Sequence, residues 1–387
     1  MRKMCAALLA AVVLMTGLTA PVRAEESVET VAGAPAVEVP AAILMEKETG
    51  TILYEEHSHE QREPASVTKV MTMLLVMEAI DGGRLNYEDT VTVSAHAASM
   101  GGSQVYMKEN EQMTVHDMLK AVAVVSANDG SVALAEHLAG SEEGFVSMMN
   151  QRAAELGMED THFVNCTGLP ADGHVTSAHD IALMSRELIL NHPDIRQFTT
   201  IWMDSIRDGA FQLSNTNRLV RYYEGATGLK TGFTDGARYC LSAAAERDGM
   251  ELIAVVMGAE TSDKRFETAK SLLSYGFANY TLMDVHPGQA LAPMDVRLGE
   301  TQTVQPVQQR PCRILVAKAD ADKVTTELVL AEDVEAPVEA GQKLGSMTVY
   351  VDGVEQDVVN LVAECAVERL TVGKIFSRFL KTLFMAE

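Results

Sequence analysis

The segment EPASVTKVMTMLLVMEAI, residues 63–80, has the pattern of an amphipathic helix with an unusual start, because a serine is followed three positions later by a lysine. A helix that opens near Pro64 brings Ser66 and Lys69 to the same face, since positions three and four apart are neighbours on a helix. The segment therefore predicts two side chains that can share a proton at the start of a helix.

Two other short motifs extend this pair. Residues 66–69 (SVTK) are the only S-x-x-K in the chain, residues 126–128 (SAN) the only S-x-N, and residues 230–232 (KTG) the only K-T-G. The local periodicity places the second motif on a turn between two helices and the third at the edge of a sheet. A helix start, a loop and a strand edge can converge on one cleft, where the positive end of the helix favours developing negative charge.

These three motifs, in this order, resemble the sequence marks of the penicillin-binding proteins and serine β-lactamases. From about Val37 to Tyr280 the chain is similar to the low-molecular-mass D-alanyl-D-alanine carboxypeptidases, peptidase family S11. The segments that carry the resemblance are EPASVTKVMT, ASMGGSQVYM, VVSANDGSVALAEHLAGSEEGFVSMMN, NCTGLPADGHVTSAHDIALM and TGLKTGFTDGARYCLSAAA. The resemblance implies an α+β transpeptidase-type domain, with helices around an antiparallel sheet, followed by a small all-β domain.

The resemblance also implies a reaction and its partners. Ser66 attacks the D-Ala-D-Ala peptide bond of a peptidoglycan stem peptide, which forms an acyl-enzyme that water hydrolyses, and β-lactams act as covalent inhibitors. Lys69 accepts the serine proton, and Ser126 relays a proton to the leaving D-alanine. An ordinary lysine is charged at neutral pH, so we expect burial and the charge of Lys230 to lower the pKa of Lys69. No cofactor and no metal ion are implied.

Further residues are implied to hold the substrate. Asn128 positions a substrate amide or Lys69, while Lys230 and Thr231 bind the terminal carboxylate. Arg265, in the segment SDKRFETAKSLL, is expected to help neutralise that carboxylate. The alternative for Arg265 is a solvated charge on a helix surface.

The third motif also supplies backbone groups. The N–H groups of Ser66 and Phe233 are implied to form the oxyanion hole, which contributes about 3–4 kcal/mol per donor. Gly232 suits a strand that approaches another backbone closely, since it adds no side-chain bulk. Phe233 departs from relatives that carry a histidine there, so we expect substrate preference or acylation rate to differ.

Periodicity outside the motifs agrees with an α+β fold. Residues 41–57 alternate and break at Thr49-Gly50, and residues 237–259 break at Asp248-Gly249, so each segment predicts two strands joined by a turn. Residues 113–125, 131–140, 142–157, 178–192 and 263–280 have helical spacing.

We predict five segments along the chain. These are a signal peptide at 1–24, a linker at 25–38, the catalytic domain at 39–284, a β-domain at 285–370 and a membrane-binding helix at 371–387. Arg2 and Lys3 precede an apolar run that ends in VRA, which is typical of cleavage after Ala24. We therefore expect an exported protein at the outer face of the bacterial cytoplasmic membrane or in the cell wall. The alternative is a retained anchor, although the run is shorter than the ~20 residues of a spanning helix.

The last segment, VGKIFSRFLKTLFMAE, separates apolar and cationic residues onto opposite halves of a helix. A 16-residue helix reaches ~24 Å, less than the ~30 Å hydrocarbon core, so it is expected to lie on a membrane surface. The alternative is a helix packed on the β-domain.

The composition excludes other classes. A net charge of −23 argues against nucleic acid as a partner. The cysteines that remain after cleavage have no C-x-x-C spacing, which signals neither a zinc site nor a disulfide scaffold. His57 and His59 have no partner cluster with metal-ligand spacing.

Three alternative functions remain open. A serine β-lactamase needs a glutamate on a loop facing the nucleophile, and residues 161–178 contain none. A non-hydrolytic β-lactam sensor or peptidoglycan-binding protein does not need all three motifs intact. A D,D-endopeptidase that cuts peptidoglycan cross-links uses the same motifs, so residue order does not distinguish it.

Overall fold

The computed structural model describes residues 33–384. The predicted signal peptide and residues 25–32 of the predicted linker lie outside the described residues.

The regular elements follow the chain in a mixed order. The strands are β1 (Ala41–Glu46), β2 (Ile52–Glu56), β3 (Thr90–Thr92), β4 (Gln112–Thr114), β5 (Met203–Ile206), β6 (Phe211–Ser214), β7 (Ala226–Thr234), β8 (Arg238–Arg247), β9 (Met250–Ala259), β10 (Tyr280–Asp284), β11 (Met294–Arg297), β12 (Thr303–Val304), β13 (Pro306–Gln308), β14 (Arg313–Ala317), β15 (Val324–Leu330), β16 (Asp333–Glu335), β17 (Lys343–Val351) and β18 (Val354–Ala363). The α-helices are α1 (Lys69–Asp81), α2 (Ala95–Ala98), α3 (Val115–Val125), α4 (Asn128–Ala139), α5 (Glu142–Glu155), α6 (Ala178–Asn191), α7 (Arg196–Thr199), α8 (Leu219–Tyr222), α9 (Ser262–Asn279) and α10 (Val372–Phe384).

A five-stranded antiparallel sheet lies at the centre of the larger domain, in the order β2-β1-β9-β8-β7. Side chains alternate along β1, so Ile43 and Met45 join one hydrophobic core while Ala42 and Leu44 join the other. Helices α1, α3, α4 and α6 complete the first core, and α9 completes the second. Because helices cover both faces, β9 is buried along its full length. The predicted α+β architecture is confirmed.

Both predicted pairs of strands are present. β1 and β2 pair antiparallel, and the carboxylate of Glu46 accepts hydrogen bonds from the backbone N–H groups of Glu48 and Thr49 in the turn between them. β8 and β9 pair around Asp248 and Gly249, which both have positive φ angles, 51° and 77°. The turn residues seen in the sequence therefore lie where the chain reverses.

The amphipathic pattern predicted for residues 63–80 is wrong for the helix that forms there. Every residue of α1 from Lys69 to Met77 is buried, because α1 lies between the sheet and other helices and carries apolar residues on all sides. The opening also differs from the prediction. Residues 65–68 form a single 3-10 turn, and the α-helix begins only at Lys69.

The smaller, C-terminal part is all-β, as predicted. It contains a four-stranded sheet in the order β13-β18-β17-β15 and a three-stranded sheet in the order β12-β11-β16. Each sheet has its own small hydrophobic core. Strand β10, inside the predicted range 39–284, pairs with β14, so this pair joins the two parts of the chain.

Helix α10 follows the β-domain and exposes its apolar side. Val372 is 82% exposed and Phe376 61% exposed, so these side chains do not pack against the β-domain. The ammonium of Lys374 pairs with Glu368 at 2.9 Å and with Glu300. Within residues 33–384, no helix has the length and apolar character needed to cross a bilayer.

Candidate active site

Ser66 lies on the 3-10 turn before α1, and hydrogen bonds from a distant loop fix this turn. The backbone N–H of Val164 donates to Nδ1 of His174, so Nε2 carries the proton and donates to Oγ1 of Thr68 at 2.8 Å. Thr68 in turn donates to the carbonyl of Ala65, whose φ is +47°. Burial lowers the pKa of His174 to about 4, which keeps this chain of hydrogen bonds in its neutral form at pH 7. The residue just before Ser66 is thus held in a left-handed conformation.

Lys69 lies one turn beyond Ser66, as the sequence predicts, and its side chain is fully buried. Its Nζ lies 3.1 Å from Ser66 Oγ, 2.6 Å from Asn128 Oδ1 and 2.5 Å from the carbonyl oxygen of Thr167. Carbonyl oxygens only accept hydrogen bonds, so a neutral amine uses its two N–H groups on Asn128 and Thr167. Its lone pair then has the Ser66 hydroxyl as its donor.

The electrostatics of this site favour the neutral amine. Burial lowers the pKa of Lys69 from its ordinary value near 10.5 to about 7, while the negative charge of Asp129 opposes this effect. Burial is therefore the cause that accounts for the shift. The sequence predicted that burial and the charge of Lys230 together lower the pKa of Lys69. In the structure burial lowers the pKa of Lys69, whereas the repulsion between the two lysines lowers the pKa of Lys230.

Ser126 and Asn128 lie at the junction of α3 and α4, as predicted. Ser126 ends α3 in a left-handed conformation, with φ +66° and ψ +34°. Its Oγ is buried and has no hydrogen-bond partner within residues 33–384. Asn128 begins α4, and its Nδ2 donates to the carbonyl of Gly101 at 2.7 Å, which fixes Oδ1 toward Lys69. A buried hydroxyl without a partner is costly unless a substrate satisfies it.

Lys230 and Thr231 lie on β7, the edge strand next to the Ser66 turn. Lys230 is fully buried, and its Nζ donates to the carbonyl of Thr231 at 3.0 Å. Burial and then the charges of Lys69 and Arg265 lower the pKa of Lys230 well below its ordinary value. The lysine has no carboxylate partner in the part of the chain that the structure describes, so a bound anion would relieve this cost.

Gly232 lies against the Ser66 turn at a distance that excludes a side chain. A Cβ there would lie 2.9 Å from the carbonyl oxygen of Pro64 and 3.1 Å from the backbone nitrogen of Ser66. The predicted close approach at Gly232 is therefore present. The next residue, Phe233, is 47% exposed and packs against Tyr239, with ring centroids 4.4 Å apart and the ring planes tilted by 36°.

Arg265 lies behind the K-T-G strand, in the first turns of α9. Its Nη1 donates to the carbonyls of Gly232 and Cys240, both at 3.2 Å, and its guanidinium lies over the ring of Phe266. Burial lowers its pKa to about 10, so it stays cationic at neutral pH. The solvated alternative considered for Arg265 is wrong, because the side chain is buried and bonded to the backbone of β7 and β8. Its contact with substrate remains a prediction.

Sequence reasoning missed several residues that hold this site. The carbonyl of Thr167 binds Lys69, and Thr216 accepts a hydrogen bond from the Thr231 hydroxyl at 2.7 Å. Gly168 has φ +82°, and a Cβ there would lie 1.8 Å from the carbonyl oxygen of Ala65. Contacts made by backbone carbonyls, or by hydroxyls far apart in the chain, cannot be recognised from the residue types in the sequence. Only the segment NCTG, residues 165–168, gave a signal, through the resemblance alone.

Among the residues that the structure describes, one other cluster brings possible metal-ligand atoms close together. Glu78, Glu187 and His192 lie within 4.8 Å of one another. Arg152 bridges the two carboxylates, at 2.7 and 2.5 Å, and His192 lies 2.5 Å from Asp81. These contacts describe an ion-pair network between helices rather than an open metal site.

The comparisons with known proteins agree with this geometry. The family model for peptidase S11, D-alanyl-D-alanine carboxypeptidase, matches residues 28–261, and the model for the C-terminal domain of penicillin-binding protein 5 matches residues 284–369. The chain is 43% identical to the D-alanyl-D-alanine carboxypeptidase DacF of Bacillus subtilis over 82% of each chain. It is 30% identical to DacA of Escherichia coli, over 91% of this chain and 89% of DacA.

Solved structures give the same result. The structure of penicillin-binding protein 5 from Haemophilus influenzae superposes with a TM-score of 0.74 and 29% identity, and covers 87% of this chain and 99% of that one. DacD from Francisella tularensis gives a TM-score of 0.68 with 28% identity, over 87% of this chain and 95% of that one. The chain therefore belongs to the peptidase S11 family of D-alanyl-D-alanine carboxypeptidases.

Proposed function

We propose that this protein is a serine D-alanyl-D-alanine carboxypeptidase that removes the terminal D-alanine from peptidoglycan stem peptides and that β-lactams acylate at Ser66. The observation that carries the proposal is the arrangement around Lys69. Its pKa is about 7, and the two carbonyl acceptors direct its lone pair to the Ser66 hydroxyl. A lysine held in this way is a general base poised near neutral pH.

The acylation step follows from these positions. The Ser66 hydroxyl gives its proton to Lys69, and its oxygen bonds to the carbonyl carbon of the penultimate D-alanine. The backbone N–H groups of Ser66 and Phe233 stabilise the resulting oxyanion. As the peptide C–N bond breaks, a proton passes through Ser126 to the leaving nitrogen, and D-alanine departs as the free amino acid. Water then takes the place of D-alanine, and its attack on the ester regenerates the Ser66 hydroxyl.

The neighbouring residues bind the substrate. Lys230 and Thr231 receive the terminal carboxylate, whose negative charge compensates the buried ammonium. Asn128 can hold a substrate amide while it keeps Lys69 in place. Arg265 adds positive charge from behind β7, where it bonds to the Gly232 carbonyl.

The test uses residues 25–387 in mild detergent with a diacetylated tripeptide that ends in Lys-D-Ala-D-Ala. We expect free D-alanine from the parent and none from Ser66→Ala, and covalent penicillin labelling of the parent alone. Labelling at Ser66 without D-alanine release would contradict a carboxypeptidase and favour an endopeptidase or a β-lactam sensor. Circular dichroism of Ser66→Ala serves as the control for folding.

We also propose export and a membrane-surface location. The basic start and the apolar run of residues 1–24 support export. The exposed apolar side of α10, beside the cationic residues seen in its sequence, supports binding to anionic lipid. Deletion of residues 372–387 is expected to move the protein from the membrane fraction to the soluble fraction. Unchanged fractionation would contradict a membrane-binding role for this helix.

A further inference from the structure

A cavity lies between the loop at residues 105–111 and the β5–β6 hairpin. It has a volume of about 590 Å³, and six residues supply most of its lining. They are Tyr106, Lys108, Glu109, Glu111, Arg207 and Phe211. None of the three motifs contributes to this lining.

The loop that forms one wall is attached directly to the active site. The backbone N–H of Asn128 donates to the carbonyl of Ser103 at 2.7 Å. The carboxylate of Asp129 accepts hydrogen bonds from the backbone N–H groups of Val105 and Met107, at 3.0–3.2 Å. This wall therefore begins at Asn128, the residue that also contacts Lys69.

The opposite wall leads to the K-T-G motif. Arg207, at the tip of the β5–β6 hairpin, donates to the carbonyl of Val105 at 2.8 Å and to the Glu111 carboxylate at 2.6 Å. Strand β6 then runs into Thr216, which accepts the hydrogen bond from Thr231. One wall of the cavity is thus connected to the S-x-N motif and the other, through β6 and Thr216, to the K-T-G motif.

The cavity exposes an aromatic side chain and two charged side chains to solvent. Tyr106 is 67% exposed and has φ +56°, and its ring lies 6.3 Å from that of Phe211. A tyrosine in this conformation is strained, and the two hydrogen bonds from its neighbours to Asp129 keep it there. Lys108 and Glu109 follow on an exposed turn, and neither has an ion-pair partner within residues 33–384. An aromatic platform is thus flanked by two exposed charges, the cation of Lys108, whose charge also acts on Glu111, and the anion of Glu109.

We propose that this cavity is a subsite for the side chain of the diamino acid that precedes D-Ala-D-Ala in the stem peptide, and that it favours the zwitterionic end of meso-diaminopimelate. The inference rests on the proposed function. Glu109 binds the ammonium, Lys108 binds the carboxylate, and Tyr106 contacts the methylene chain and the ammonium. A lysine side chain satisfies Glu109 alone.

The length of the substrate sets how far such a subsite lies from the nucleophile. The diamino acid lies one residue before the D-alanine that is attacked, and consecutive Cα atoms are about 3.8 Å apart. Its side chain adds several more bonds, so its charged end lies roughly 10 Å from the reacting carbon. With the terminal carboxylate at Lys230, the proposal places the amino side of the peptide past Asn128, on the side of the loop that carries Tyr106.

The test compares three stem pentapeptides that differ only at the third residue, which is meso-diaminopimelate, L-lysine or Nε-acetyl-L-lysine. Dissociation constants are measured on Ser66→Ala by calorimetry, and kcat/KM for D-alanine release is measured on the parent. Each charge removed is expected to weaken binding about tenfold, as for a charge-assisted hydrogen bond. Lys108→Met is expected to abolish the preference for diaminopimelate over lysine, and Glu109→Gln the preference for lysine over acetyl-lysine.

Matched variants separate the subsite from general surface charge. Lys343→Met and Glu88→Gln remove an exposed cation and an exposed anion elsewhere, and they are expected to leave both preferences unchanged. Equal binding of the three peptides to Ser66→Ala, or preferences that survive in Lys108→Met and Glu109→Gln, would overturn the subsite. Discrimination in binding without D-alanine release by the parent would support the subsite and reject the proposed function instead.

Discussion

At the scale of single residues, the hydrogen bonds of Lys69 orient its amine toward the Ser66 hydroxyl. The pairing with Ser66 was predictable, since three-residue spacing on a helix brings the two side chains together. The acceptors that fix the amine were only partly predictable. Asn128 belongs to a motif, but the Thr167 carbonyl lies on a loop 98 residues beyond Lys69 in the chain. A carbonyl oxygen is common to every residue, so no sequence pattern identifies it.

The pKa of Lys69 makes a prediction about acylation. Only the neutral amine accepts the Ser66 proton, and its fraction rises with pH until the pH exceeds the pKa, which is about 7. The second-order rate of acylation by a penicillin is therefore expected to fall about tenfold per pH unit below 7 and to level off above it. Stopped-flow measurement between pH 5 and 9 checks this.

His174 does not explain such a fall, because its pKa of about 4 keeps it neutral over this range. A rate that stays constant from pH 5 to 9 would contradict Lys69 as the base. A rate that still rises about tenfold per pH unit at pH 9 would show instead that the buried amine keeps its ordinary pKa.

At the scale of elements, the edge of β7 and the Ser66 turn form the contact that assembles the site. The sequence predicted the strand, its edge position and the need for glycine at position 232. It did not predict the 3-10 turn, because Ala65 adopts a left-handed φ that alanine rarely takes without outside support. That support comes from Thr68 and His174. The pattern of α1 was misread for a similar reason, since burial on all sides depends on neighbours that the local sequence does not show.

This contact predicts the effect of Gly232→Ala. The added Cβ meets backbone atoms of Pro64 and Ser66 at 2.9 and 3.1 Å, and backbone cannot move aside as a flexible side chain can. The strand and the nucleophile must separate by a fraction of an ångström. We expect penicillin acylation to slow by about 10²-fold, as for other misplacements of a reacting group, in a protein that remains folded.

Gly101→Ala is the matched control for this prediction. Gly101 also lies at the cleft, where its carbonyl binds Asn128, but a Cβ there meets nothing within 4 Å. We expect acylation of this variant at nearly the parental rate. Equal rates in Gly232→Ala and the parent would show that the close approach has no part in positioning Ser66.

At the scale of the whole molecule, the chain divides by its hydrophobic cores. The two cores of the larger domain lie on opposite faces of one sheet, so they share strands and are expected to unfold together. The β-domain has two cores of its own. Between the domains lie the β10–β14 pair and three partly buried side chains that pack against the larger domain, Leu282, Leu315 and Ala317. The sequence predicted a boundary between residues 284 and 285, whereas the pairing of β10 with β14 across it was not predictable from local pattern.

This division predicts how acylation changes stability. A penicillin bound to Ser66 contacts the larger domain alone, so it stabilises the native state of that domain and leaves the β-domain unchanged. Calorimetry is expected to show two unfolding transitions, one for each domain. Acylation is expected to raise the midpoint temperature of the larger domain alone, by about 2–4 °C for each kcal/mol of stabilisation. Ser66→Ala with penicillin is the control and should show no shift. If both transitions moved together, or only one transition were seen, the pairing of β10 with β14 would have to couple the domains into a single cooperative unit.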